Sequence, residues 1–375
     1  MDVWLESEGG VSTTGRIGLV CHAASINMHG THSSVLLRER VGDRLSCLLG
    51  PEHGFWGTAA AGEHVPNGLH PEWGIPVFSL YSGQAPALDE IAGLVDTIVF
   101  DLQDISTRCY TYVHTLRQML EFCADYEIEL IVTDRASPLA MCMDGPMLVS
   151  EFKSIVAPVP TPYVYGMTPG ETAMWLRDEL SLSVRLKVVP AAEYKRNADP
   201  SCLWAHWVPP SPAIRSWNAA WAFPVMVFTE ALKQLDCARH TGKAFQILHA
   251  SWLQVDSLLD ELVPSQEFGA KFTHWHDEET AAPAGIQLTV VDLKAYRPAA
   301  LSVSLLHALQ KVHGVEAIWR HSSVDEKWFD KLWGTNAVRL ALQSDESAVS
   351  IIQSWDDDLS SFSAKRANVQ LYDDD

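Results

Sequence analysis

No paired-cysteine pattern runs through this chain. Its seven cysteines, Cys21, Cys47, Cys109, Cys123, Cys142, Cys202 and Cys237, are scattered through mostly apolar stretches, without a Cys-x-x-Cys pair or a Cys/His cluster at zinc spacing. That excludes a disulfide scaffold and a structural zinc site, and leaves buried free thiols in a reducing compartment as the simpler account. Cations are also scarce: 27 Lys and Arg against 47 Asp and Glu give a formal net charge of −20. Phosphate backbones and anionic lipid need local positive charge, so neither nucleic acid nor a membrane surface is an expected partner. No apolar run has the length needed to cross a bilayer. The amino terminus has neither a basic start nor an apolar signal-peptide core, and the chain as written is expected to be cytoplasmic. The glycine-rich dinucleotide fingerprint is missing after the first apolar strand, and Gly-x-Ser-x-Gly does not occur. A nucleotide cofactor and a serine nucleophile elbow are thereby unsupported, and no cofactor is called for.

What is present is a repeating strand and helix pattern. At 375 residues the chain exceeds one typical core, and two domains are expected. Apolar runs at Arg16–Cys21, Leu45–Leu49, Ile75–Leu80, Asp96–Phe100, Ile128–Thr133 and Val184–Val189 read as strands. Helix-spaced apolar positions separate them at 33–41, 86–94 and from Val113 to Cys123. A further helix is predicted from Gly166 to about Leu180, with Thr168 as cap, Pro169 at its first position and Glu171 closing a capping box. Several of these strands end in polar residues, at His22, Glu52, Asp101 and Asp134, which would line one edge of a mostly parallel sheet. That edge is where open α/β folds place their chemistry. A Pro-rich, aperiodic stretch at 197–218 reads as a domain junction. The expected architecture is an α/β, Rossmann-like, mostly parallel sheet domain over residues 1–200. A smaller α/β (α+β) domain over 201–375 would complete the cleft, with helices near 228–236, 242–252, 299–311 and 342–353 and a strand near 285–292.

Glu52 stands out, in Pro51-Glu52-His53-Gly54-Phe55-Trp56-Gly57 directly after an apolar strand. A carboxylate among apolar side chains suits a general acid, and it equally suits a loop anchor that accepts backbone N–H bonds. His53 is either its hydrogen-bonding neighbour or the anchor of that loop. Asp101, Asp104 and Arg108, with Tyr110 and Tyr112, could orient a ligand or form a buried pair, and the same two readings hold for Asp134 with Arg135. Glu171 has a capping role that leaves room for cleft duty. His22, Glu52, His53, Asp101 and Asp134 could converge on a divalent cation, which keeps a metal-dependent hydrolase as a rival; no metal site is assigned.

The ordered series Leu49-Gly-Pro-Glu-His-Gly54 with Gly57, Ala61-Gly-Glu63, Ile75-Pro-Val-Phe-Ser-Leu-Tyr81, Asp101-Leu-Gln-Asp-Ile105, Arg108, Tyr110-Thr-Tyr112, Asp134-Arg135, Asp144-Gly-Pro146 and Gly166-Met-Thr-Pro-Gly-Glu171 resembles the exo-β-N-acetylmuramidase family. The resemblance implies a Rossmann-like domain and a smaller domain with the active cleft between them. It also implies release of terminal N-acetylmuramic acid from the non-reducing end of peptidoglycan fragments, so that a small muropeptide or muramyl saccharide is the expected partner. By this resemblance Glu52 falls on the catalytic glutamate, with Glu171 as a second catalytic candidate. Glu63, Arg108, Tyr110 and Glu171 fall on cleft-lining positions. His22, His53, Asp101, Asp134, Arg135 and Arg239 complete the candidate substrate-binding set, and Arg108, Arg135 or Arg239 is expected to meet the lactyl carboxylate. A Glu52-to-carboxylate separation of about 5–5.5 Å would suit a retaining enzyme and about 6.5–9.5 Å an inverting one.

The chain departs from the family pattern where His22 replaces an Asn, at Arg135-Ala-Ser-Pro138, at Ser211-Pro-Ala213, and at Ala238-Arg-His-Thr241 in place of Gly-Arg-Gly-Thr. These departures keep a non-catalytic muramyl-sugar-binding protein as the other alternative.

Overall fold

The computed structural model describes residues 1–6, 15–81, 87–198, 207–276 and 283–372. Nine strands belong to the first half: β1 (Ile17–Cys21), β2 (Leu45–Gly50), β3 (Gly68–Leu69), β4 (Pro76–Ser79), β5 (Thr97–Asp101), β6 (Glu129–Thr133), β7 (Met143–Met147), β8 (Pro162–Tyr165) and β9 (Arg185–Val189). Seven of them form one sheet in the order β3-β4-β2-β1-β5-β6-β9, parallel throughout except for the antiparallel β3–β4 pair. From β1 the chain steps outward through β2 to β4, then returns to the other side of β1 for β5, β6 and β9. That is the Rossmann strand order, with its reversal between β1 and β5. Every residue of β1 and β5 is buried, as strands covered on both faces require, whereas β9 at the edge alternates. Pro76 opens β4, where its missing N–H removes nothing from the central ladder.

The helix Pro169–Glu179 begins as its sequence requires. Thr168 caps it, Pro169 follows, and Thr168 and Glu171 exchange side-chain and backbone bonds in a complete capping box. The β7–β8 pair is antiparallel and lies between β6 and β9 in the chain.

A smaller α/β region follows, with β10 (Ile247–His249), β11 (Ala270–His276) and β12 (Pro283–Val290) in the antiparallel order β10-β12-β11. The strand expected at 285–292 is β12, and the helix expected at 299–311 is Pro298–His313. Two expected helices are corrected. Residues 228–236 form a short 3-10 turn, Val227–Glu230, followed by further turns in which Leu232 makes an isolated bridge to Val324 and Asp236 one to His249. Residues 242–252 contain β10 instead, because Ala238 at φ 54° and Phe245 at φ 62° break helical continuation and cross-strand pairing prevails. The helix expected at 342–353 is two, Ala337–Gln343 and Ala348–Gln353, separated by Asp345 at φ 60° and restarted by the Ser347 cap.

The predicted helix start at Pro86, Cys202, residues 199–206 of the predicted junction and Asp373–Asp375 lie outside the described residues. The other six cysteines are free and buried. Among the described residues no helix is long and apolar enough to cross a membrane.

Candidate active site

The carboxyl end of β2 delivers Glu52 and His53 through a tight turn. Gly50 allows that turn, since a Cβ there would stand 2.4 Å from the Phe55 amide nitrogen. His53 at φ 70° and Gly54 at φ 76° then reverse the chain. Glu52 is nearly buried and its carboxylate is held from several sides. The Gly62 N–H donates to Oε1 at 2.8 Å, the Thr111 hydroxyl to Oε2 at 2.6 Å, and the Tyr81 hydroxyl also bonds it. Burial, then the charge and hydrogen bond of Glu52, push the Tyr81 hydroxyl up to about 12, so it stays a donor across any working pH. His53 Nδ1 lies 2.8 Å from the Ala59 carbonyl. A carbonyl only accepts, so Nδ1 carries a proton and donates it there, which leaves Nε2 as the ring nitrogen available to another partner.

Glu52 and His53 open onto a cleft of about 640 Å³ to which both halves of the chain contribute. That volume is in the range of small-ligand sites. Tyr81, Tyr110 and Thr111 join them from the first half, and Arg215, Glu230, Lys233, Arg239, Asp325 and Trp328 from the second. Glu230 is a second carboxylate in the cleft, ion-paired with Arg239 and bonded by the Trp328 indole N–H at 3.2 Å. Two segments around it are strained, with Ala238 and Phe245 in the left-handed region at about 1–2 kcal/mol each. Such cost concentrates where surrounding structure imposes a geometry.

Of the expected site residues, Glu52, His53, Tyr110 and Arg239 line this cleft. Glu63 does not; it is exposed, and its Oε2 accepts the Ala60 N–H at 2.7 Å, tying the loop whose residues 60–62 line the wall. The others are drawn into two buried networks.

The first network fills the crevice at the strand-order reversal. Arg135 grips both oxygens of Asp101, at 2.6 and 2.9 Å, and Ser33 donates to Asp101 as well. Burial raises the Asp101 carboxyl but Arg135 outweighs it, holding the group well below the usual carboxylate range. Beside it His22 is fully buried; its Nε2 accepts the Gln103 N–H at 3.1 Å and its Nδ1 faces the Pro210 carbonyl at 3.2 Å. Burial first, then the Arg135 charge, lowers that ring to about 3, so it stays neutral. The expected pairing of Arg108 with Asp101 or Asp104 is therefore corrected: Arg135 occupies Asp101, and the Tyr165 hydroxyl bonds Asp104 at 2.5 Å.

The second network joins the two halves. Arg108, fully buried, donates to the carbonyls of Pro146, Thr161 and Trp333, and burial lowers it to about 10. Asp134 accepts from Thr168, Gly170 and Tyr372, each at 2.7 Å. Glu171 has no exposed surface; Oε2 takes the Thr168 N–H at 3.0 Å, while Oε1 takes Arg196 and the Leu371 N–H at 2.9 Å. The second catalytic candidate is thus a cap and a tail anchor, with its acceptor sites consumed. His22, Asp101 and Asp134 do not converge with His53 and Glu52, and among the described residues no group of three or more His, Cys, Asp or Glu is placed to hold a metal ion.

Sequence reasoning passed over Arg215, Glu230, Lys233, Asp325 and Trp328. Only Thr111 and Tyr81 carried a signal, inside the segments Tyr110-Thr-Tyr112 and Ile75–Tyr81. Phe55 is buried, whereas Trp56 is 56% exposed, edge-on to Phe55 at 4.5 Å and outside the cleft wall.

A Rossmann-ordered sheet and a smaller α/β region frame a cleft lined by the carboxylates Glu52, Glu230 and Asp325, the kind of groups on which glycosidases rely. The chain belongs to the exo-β-N-acetylmuramidase family: the NamZ N-terminal region matches residues 17–218 and the NamZ C-terminal region residues 221–372. It is 29% identical over 364 residues to the peptidoglycan β-N-acetylmuramidase NamZ of Bacillus subtilis, covering 95% of this chain and 87% of that protein. A DUF1343 family protein of Bacteroides fragilis superposes with a TM-score of 0.86 at 26% identity, over 96% of this chain and 94% of that one. A second DUF1343 protein of the same organism shares the fold at TM-score 0.73 and 21% identity, over 99% of both chains.

Proposed function

We propose that this protein is an exo-acting β-N-acetylmuramidase that removes N-acetylmuramic acid from the non-reducing end of peptidoglycan-derived saccharides, with Glu52 as general acid/base. The observation that carries the reading is the setting of Glu52: a nearly buried carboxylate at a strand end, oriented by the Gly62 N–H and the Thr111 and Tyr81 hydroxyls, and open to a saccharide-sized cleft. In this reading the protonated Glu52 delivers its proton to the glycosidic oxygen as the bond to the anomeric carbon breaks. The same carboxylate then takes a proton from the incoming water.

Glu230, rather than Glu171, is the second group that meets the developing oxocarbenium charge. Arg239 and the Trp328 indole fix its orientation. The His53 ring, anchored through Nδ1 on the Ala59 carbonyl, offers Nε2 to a sugar hydroxyl. The chain divides near residue 200, and the buried bonds from Arg108, Asp134 and Glu171 hold the two cleft walls in register. Incubating the purified protein with a chromogenic β-N-acetylmuraminide and with an unactivated muramyl disaccharide tests the proposal: hydrolysis by the wild type together with loss of disaccharide turnover in the Glu52→Gln variant supports it, and disaccharide turnover unchanged in that variant overturns it.

A further inference from the structure

Three arginines looked suited to a substrate carboxylate, and all three are committed. Arg108 bonds only backbone carbonyls, Arg135 is clamped on Asp101, and Arg239 is paired with Glu230. Two other cations of the cleft wall are not committed. Arg215 spends its Nε on the Pro212 carbonyl at 2.8 Å, and among the described residues its terminal nitrogens meet no carboxylate. Lys233 is exposed in the same cleft, with no hydrogen bond or ion pair to any described residue. Both line the cleft that also holds Glu52, Glu230 and Asp325, so an anion entering it meets two positive charges that no ion pair to a described residue neutralises.

We propose that Arg215 and Lys233 form an anion subsite that reads the 3-O-lactyl carboxylate of a muramyl sugar; this rests on the saccharide reading above and adds the residues that set its specificity. N-Acetylmuramic acid differs from N-acetylglucosamine only by that lactyl ether, so discrimination between them has to come from groups complementary to it. Arg215, with Nε already anchored, presents its remaining N–H groups as a planar donor edge, and Lys233 adds a mobile point charge. The wall's charges also balance. Arg215, Lys233 and Arg239 stand against Glu52, Glu230 and Asp325, so an incoming carboxylate is not repelled as it would be over the rest of the acidic surface.

The test is calorimetric binding of N-acetylmuramic acid and of its methyl ester, which keeps the lactyl group and removes only the charge. Wild-type protein is expected to bind the acid about tenfold more tightly than the ester, a preference that salt weakens, because these cations are partly solvated. The Arg215→Gln/Lys233→Gln double variant is expected to bind both alike. Equal affinities in the wild type, or an undiminished preference in the double variant, would overturn the subsite, and the wild-type comparison needs no substitution that could disturb folding. Turnover of the chromogenic muraminide is read separately. Charge-dependent binding without turnover sinks the hydrolase reading and leaves the subsite standing, whereas turnover without charge preference does the reverse.

Discussion

Glu52→Gln separates chemistry from architecture because glutamine fills the same volume and can satisfy the same neighbours. The Gly62 N–H can only donate, so the amide oxygen takes the Oε1 position at 2.8 Å, and the amide NH₂ faces Thr111, whose hydroxyl rotates to accept it. Charge-assisted bonds become neutral ones, at a cost of about 1 kcal/mol. In a protein of this length that lowers Tm by about 1–2 °C. The catalytic loss is of another size. Without a transferable proton, kcat on a disaccharide substrate should fall about 10²–10⁴-fold, equivalent to about 3–5 kcal/mol of barrier. The assay pairs an unactivated disaccharide with a dinitrophenyl muraminide, whose leaving group departs without protonation. If Glu52 supplies the proton, the variant loses far more on the disaccharide than on the activated substrate. Equal losses on both would refute the general-acid role, and a loss below about threefold on the disaccharide would refute any proton transfer by Glu52.

Three further expectations concern the framework around the cleft. Glu171→Gln turns the charge-assisted bonds from Arg196 and from the Thr168 and Leu371 N–H groups into neutral ones and should cost about 1–3 kcal/mol in chemical denaturation, while kcat of the folded fraction stays near wild type. A kcat collapse at intact stability would return Glu171 to the chemistry. Ala238→Gly relieves the left-handed strain at φ 54°, minus the added freedom of the unfolded chain, and should raise stability by about 0.5 kcal/mol; a lower Tm would refute this. Burial raises the Asp104 carboxyl to about 6, with Tyr165 and Ser106 opposing. A carboxyl raised above its unfolded value near 4 binds more protons when folded, so its contribution is present at low pH and is lost as pH rises from about 4 through 6. Asp104→Asn should therefore gain on the wild type by about 1.4 kcal/mol between pH 5 and pH 8, and parallel stability curves for the two proteins would refute it.

Much of the fold was legible because it is written locally. The buried strands β1, β2, β5 and β6 are continuous apolar runs, and the Thr168-Pro169-Gly170-Glu171 start carries its own capping chemistry. The second half was less legible. At 228–252 the left-handed residues Ala238 and Phe245 and the bridges from Leu232 to Val324 and Asp236 to His249 overrode a helical apolar pattern. Local windows do not contain those partners.

By itself the sequence determined the Rossmann-like sheet, the family, and the position of Glu52 at a strand end, since each depends on residue types within a few positions of one another. Which polar groups face the cleft and which cement the halves was decided only by tertiary structure. Arg108 reaches Trp333, Glu171 reaches Leu371, and Asp134 reaches Tyr372, across 225, 200 and 238 residues of chain. Those distant partners consume the donors and acceptors that looked free in sequence. The residues they leave uncommitted, Arg215 and Lys233, and the second carboxylate, Glu230, reach the wall of the Glu52 cleft only when the second half folds onto the first.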